Sequence, residues 1–326
     1  MTQLASRLVL LYIPLVGWVL LGLVLGHRLP QRWCNGLGKF LFWIGVPISV
    51  IGFLRGVDLS GPVWAAPAIA WGAIAVGALL AGLWISWETT GMRRPRHSSG
   101  SVAPPSATRL HQSATQGSFL LASMVGNTGY LGYPVTLALV GVQHFGWALF
   151  YDMGGTMIGA YGVGVLLASR MGQASPQLRQ PLLAILINPA LWSFGVGLVL
   201  RPISFSASVE TALQAGAWGS VALSLVLIGM RLSQLRSWQH TRLACISLSF
   251  KMVLVPLVLG LLLTAAGLSG APRLALVLQM AMPPAFATLV IGEAYNLDRD
   301  LTVTALAIGS VVLLAMLPVW VWLFPV

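Results

Sequence analysis

Gly126 to Pro134 read GNTGYLGYP and interrupt a long apolar stretch; a second interruption, MPPA at Met282 to Ala285, lies at a similar place in the other half of the chain. A membrane-crossing helix satisfies its own backbone hydrogen bonds. A break at mid-depth frees N–H and C=O groups that lipid cannot satisfy, so it survives only where protein or a watery cavity covers it. One such break in each half points to the substrate site of a secondary transporter.

Composition places these breaks in a membrane. The 326 residues are 57% hydrophobic and 8% charged, against about 25% charged in a soluble domain. The net charge of +11 raises the question of nucleic acid, but the basic residues sit in short loops between apolar runs, as topology determinants do. No nucleic-acid partner is expected. Arg7 precedes an apolar run that ends in HRLPQRW, with no small-residue cleavage site, which reads as an uncleaved first span. Cys34 and Cys245 are expected to be free thiols, and no His/Cys cluster has metal-ligand spacing, so neither metal nor cofactor is expected.

A span needs about 20 apolar residues. Ten candidates appear: Leu8–Gly26, Leu37–Leu54, Val63–Trp87, Ser113–Gly141, Phe145–Ser169, Leu182–Leu200, Thr211–Leu232, Leu243–Gly267, Arg273–Tyr295 and Leu301–Phe324. The fold class is therefore an all-α membrane protein. The basic loop at 88–111 reads as a disordered cytoplasmic linker, with contact to membrane lipid headgroups or a regulatory role as the alternative. Lys and Arg count 13 on the odd-numbered loops and their flanks but 4 on the even-numbered loops and ends. That imbalance puts both termini outside.

The halves look like repeats. Pro14 begins P-x7-GLVL, and so does Pro189, an offset of 175 that also maps Val46–Val50 onto Val221–Leu225. Five helices per half is odd, so the second repeat (182–326) enters the membrane upside down relative to the first (1–169). Inverted repeats meeting at broken helices are a recurrent transporter plan.

The breaks also carry the candidate chemistry. Gly126, Gly129 and Gly132 free the backbone, Pro134 suits the first turn of a second half-helix, and Asn127 and Thr128 bring polar side chains. Pro283 and Pro284 end one half-helix and begin another, with Thr288 about a turn later. Two half-helix N-termini near mid-membrane favour an anion, most simply a carboxylate. Lys251 lies nine residues beyond Arg242, about 13 Å along a helix. It either neutralises the exposed carbonyl ends of the crossing or pairs with a carboxylate such as Asp152. Asp152 is a proton carrier, the counter-ion of Lys251, or a hydrogen-bonded carboxylate near the outer mouth. Glu293 reads as a solvated helix-end charge. Asn188 and Pro189 read as a helix cap and first-turn proline. Tyr130, Tyr133 and Tyr151 are candidates for the edge of the site.

GNTGYLGYP, AMPPAFATLVIGEAYNLD (Ala281–Asp298) and the NPA of Asn188–Ala190 resemble the auxin efflux carrier (AEC) family of bacterial and plant transporters. The resemblance implies ten helices in two inverted five-helix repeats with broken crossover helices 4 and 9, similar to bile acid sodium symporters and sodium/proton antiporters. It implies an elevator-like movement of a core against a scaffold, organic anions as substrates, and a homodimer through the scaffold. By motif position, Asn127, Thr128 and Gly129 line the site from one side and Pro283, Pro284 and Ala285 from the other. The long plant loop between spans five and six is absent. If Lys251 fills the place of a cation, transport needs no sodium. The expected function is secondary transport of small carboxylates across the cell membrane. A non-transporting sensor with a carrier fold is the alternative. No nucleophile–base constellation appears, so an enzyme is not expected.

Overall fold

The computed structural model describes residues 2–59, 61–91, 112–172, 186–233 and 240–326. Most of the basic loop at 88–111, with Arg93, Arg94, Arg96 and Arg109, lies outside the described residues, as does the expected start of the sixth span at Leu182. The described residues are almost wholly helical, and their only β-type pairing is one isolated bridge.

In chain order the helices are α1 (Thr2–Arg28), α2 (Gln31–Arg55), α3 (Pro62–Thr90), α4 (Ser113–Met124), α5 (128–139), α6 (145–171), α7 (Pro189–Leu200), α8 (Ala207–Leu232), α9 (Thr241–Ala265), α10 (Gly270–Met280), α11 (Phe286–Ala294) and α12 (Arg299–Leu323). Of these, α2, α3, α8, α9 and α12 are each long and apolar enough to cross a membrane. The pairs α4/α5 and α10/α11 are each one stretch broken in the middle. The outer surface is that of a membrane protein: Trp33, Trp64, Trp87 and Trp322 are all exposed, as are Leu79, Leu83, Leu261 and Leu262. Exposed apolar side chains suit lipid, and Trp near helix ends suits its interface.

The helices pack in two groups. In the first, α1 lies along α8, and α2 packs on both α7 and α8. Small residues permit the α1–α8 approach: a Cβ on Gly22 would stand 2.1 Å from Val226 O, and one on Gly229 would stand 2.0 Å from Val19 O. In the second group, α3 packs on α4 and α6, α9 on α12 and α10, and the halves of the broken stretches lie among them. The two groups meet along α5 and α6, which face α2, α7 and α8.

The first break is shorter than the sequence suggests. Only Val125 to Asn127 leave the helix. Thr128–Gly132 wind as a wide π-type turn that runs straight into Tyr133–Leu139, with Pro134 in the first turn of that helix. Gly132 is therefore helical, and its lack of a side chain serves a close approach: a Cβ there would meet Gln279 Oε1, on α10, at 2.3 Å.

Candidate functional site

The broken stretches cross at their breaks. Gly126 and Pro284 form the isolated antiparallel bridge. The Asn127 N–H donates to Pro283 O at 2.7 Å, and the Ala285 N–H donates to Val125 O at 3.0 Å. Each break thus satisfies backbone groups that the other frees, which is how irregular backbone persists at membrane depth.

Two helix starts leave this crossing. Asn127 caps α5: its Oδ1 accepts the Tyr130 N–H at 3.3 Å, and its main-chain O accepts from Leu131 and Gly132. No side chain caps α11. The opening amides of a helix have no partner within it. Those of Thr128, Gly129, Phe286 and Ala287 belong to residues that line one cavity of about 520 Å³.

That cavity lies between the two groups of helices. Asn35, Lys39 and Phe42 of α2, Asn188 and Ala190 of the α7 start, and Arg231 of α8 form one wall. The breaks, with Asp152, Met153, Met157 and Tyr161 of α6, form the other. A second space of about 750 Å³ shares Asn35, Asn127, Tyr130, Arg231 and Phe286 with it and extends past Gln31, Glu293 and Arg299. The crossing is thus continuous with an opening on one side of the molecule.

Arg231 is the residue that sequence reading missed. As a basic residue at a span end it counts as a topology determinant. In the structure its guanidinium carbon stands 3.4 Å from the centroid of the Phe286 ring, at the first residue of α11. Among the described residues it has no ion pair with a carboxylate. Stacking on an aromatic face holds the guanidinium plane without using up its N–H donors. The one clue in the sequence is its place inside the apolar run of α8 rather than in the loop beyond.

Asp152 opens a π-type turn of α6 and is buried at 8% exposure. Thr128 Oγ1 donates to its Oδ1 and Tyr133 OH to its Oδ2, at 2.5 and 2.7 Å. Lys251 also lies in a π-type turn, at 2% exposure. Its Nζ donates to Met280 O, the last residue of α10, at 2.9 Å, and its Cε stands 3.0 Å from where a Gly126 Cβ would be. The lysine therefore sits at the carbonyl end of a half-helix, where negative partial charge collects. Lys251 and Asp152 form no ion pair with each other.

Of the sequence-predicted residues, Asn127, Thr128, Gly129, Ala285 and Asp152 line the cavity, and so do Tyr130 and Tyr133. Pro283, Pro284, Thr288 and Lys251 do not. The two prolines pack on α12, with Pro283 Cβ 2.7 Å from the position of a Gly309 Cβ. Thr288 is fully buried and its hydroxyl donates to Ala285 O. Asn188 caps α7 by accepting from the Ala190 N–H, and Pro189 follows in the first turn. Glu293 pairs with Arg299 at 2.8 Å, both half-exposed or more. Both cysteines are free, Cys34 buried and Cys245 exposed.

The model of a family described as membrane transport protein, of the auxin efflux carrier kind, matches residues 108–321. The chain belongs to that family. The matched stretch holds both breaks, Asp152, Arg231 and Lys251, while Asn35, Lys39 and Phe42 of the cavity wall lie before it. A relative from Methanocaldococcus jannaschii named an uncharacterized transporter is 28% identical over 64% of this chain and 68% of its own. Another uncharacterized transporter, from Methanothermobacter thermautotrophicus, is 26% identical over 68% of this chain and 73% of its own. Family, relatives and apolar helices together make the chain a multi-pass membrane transporter.

Proposed function

We propose that this transporter is a secondary carrier of small carboxylates, received at the crossing of the two breaks and moved by an elevator-like displacement of one helical group against the other. The observation that carries the reading is that one cavity collects the opening amides of α5 and α11, the Asn127 side chain and the Arg231 guanidinium. All are donors or positive ends, and an anion is their common ligand.

The cavity lies on the seam between the helical groups, where a sliding movement would carry a bound molecule with α4–α6 and α9–α12. In this reading α1, α2, α7 and α8 are the scaffold. The ten-helix inverted repeat is supported by paired contacts. The offset of 175 maps α1 onto α7 and α2 onto α8, and α1 packs on α8 as α7 packs on α2. In the second group, α3 packs on α6 as α9 packs on α12. The charge imbalance supports termini on the outer side of the cell membrane, and on that orientation the 750 Å³ space would open to the cytoplasm. Homodimerisation through the scaffold belongs to the same proposal.

Asn127→Ala is the specific test. The variant loses a cap, worth about 1 kcal/mol, and the amide of a side chain that lines the cavity. Substrate binding should weaken about tenfold, with the protein still eluting as one sharp peak in detergent. Binding measured by calorimetry that stays at the wild-type level would remove Asn127 from the site. Saturable binding with no flux would favour the sensor.

A further inference from the structure

The two positive ends at the crossing are not equivalent. The start of α11 faces Arg231, stacked on Phe286. The start of α5 faces a carboxylate: Thr128, its first residue, donates to Asp152, and a Cβ on Gly129 would stand 3.3 Å from Asp152 Oδ2. An ionised carboxylate has about four acceptor positions, and two hydroxyls, those of Thr128 and Tyr133, are its hydrogen-bond partners. The side chain lines the cavity, and no cation among the described residues lies within ion-pair distance of it. Lys39 and Arg231, on the opposite wall, are the basic side chains that share the space. A buried charge needs a partner of opposite sign, and here the open direction is the cavity itself.

A second carboxylate on the substrate would meet Asp152 as a like charge. A cationic group would meet it as a partner while completing the unused acceptor positions. Resting on the carboxylate reading above, we propose that the carried molecule is a small amino carboxylate, its carboxylate on Arg231 and the opening amides of α11 and its ammonium on Asp152. Met153, Met157 and Val290 line the apolar part of the same space and suit the carbon chain between the two charges.

The test is uptake into proteoliposomes of full-length wild type, Asp152→Asn and Asp152→Glu. The panel is alanine, 4-aminobutyrate and 6-aminohexanoate, their counterparts propionate, butyrate and hexanoate, and succinate, each with sodium or choline outside. At least one amino carboxylate should enter at about ten times the rate of its counterpart, the scale of one charge-assisted contact. Asp152→Asn should erase that preference and Asp152→Glu should retain part of it. The best chain length then reports the spacing of the two charges. Uptake of plain carboxylates with no gain from the amino group overturns this inference and leaves the carboxylate carrier standing. So does plain carboxylate uptake that rises with sodium and loses that dependence in Asp152→Asn, which gives the position to a free cation. Silence across the panel, with tightly sealed vesicles and correctly inserted protein, overturns both.

Discussion

Lys251→Met is expected to cut transport at least tenfold at equal membrane abundance. Lys251 is buried beside the crossing with Met280 O as its hydrogen-bond acceptor, and among the described residues no carboxylate pairs with it. The carbonyl end of α10 meets it at Met280 O, and the lysine Cε lies beside Gly126, just past the end of α4. The last C=O groups of a helix lack helical partners, and their partial charges are negative. The ammonium answers both needs. Methionine fills similar space without charge, so packing survives while Met280 O is left buried and unpaired, a penalty of about 1–3 kcal/mol. The crossing holds the cavity-facing helix starts in place, so a loosened crossing should appear first in function. Flux and thermal unfolding of the two proteins, side by side, check this. Wild-type flux from the methionine variant would make the lysine a replaceable structural contact.

Gly229→Leu is expected to abolish the folded protein. In the α1–α8 contact, a Cβ at Gly229 would stand 2.0 Å from Val19 O and 2.7 Å from Leu23 N, both backbone atoms that cannot swing aside. The helices would have to separate along the contact that holds the first group together. Overpacking of a well-fitted interface costs about 1–3 kcal/mol and more where backbone must move, and packing is the main force between helices in lipid. Gly219→Leu is the control. It lies on the same helix with no atom of the described residues within 4 Å of the added one, so it should leave yield unchanged. Size-exclusion profiles of the two variants give the answer. A monodisperse, active Gly229→Leu protein would mean that α1 and α8 do not approach as described.

The apolar runs and both breaks were legible in the sequence because they rest on local signals: hydropathy over about 20 residues, and Gly or Pro where a helix must stop. The extent of the first break was not, because Asn127 caps α5 at once and Thr128–Gly132 return to helix. Faces were harder still. Pro283, Pro284 and Thr288 sit in the second break by sequence, but their side chains turn to α12 or to their own helix. Arg231 was hidden by a correct rule, since basic residues at span ends do set topology. Only the approach of α8 to α11, over 50 residues apart in sequence, places it on Phe286. The π-type turns that hold Asp152 and Lys251 have no sequence signature, although such turns recur at functional positions.

The most direct test of the account is saturable uptake of a labelled carboxylate into proteoliposomes by wild type and by Arg231→Gln, using plain, dicarboxylic and amino carboxylates in turn. The account predicts saturable uptake of at least one of them by wild type, and a half-saturation concentration raised about 10- to 100-fold in Arg231→Gln, the scale of a lost charge-assisted hydrogen bond. Saturable uptake with the same half-saturation concentration in both proteins would contradict it, because the anion would then be held somewhere other than the crossing.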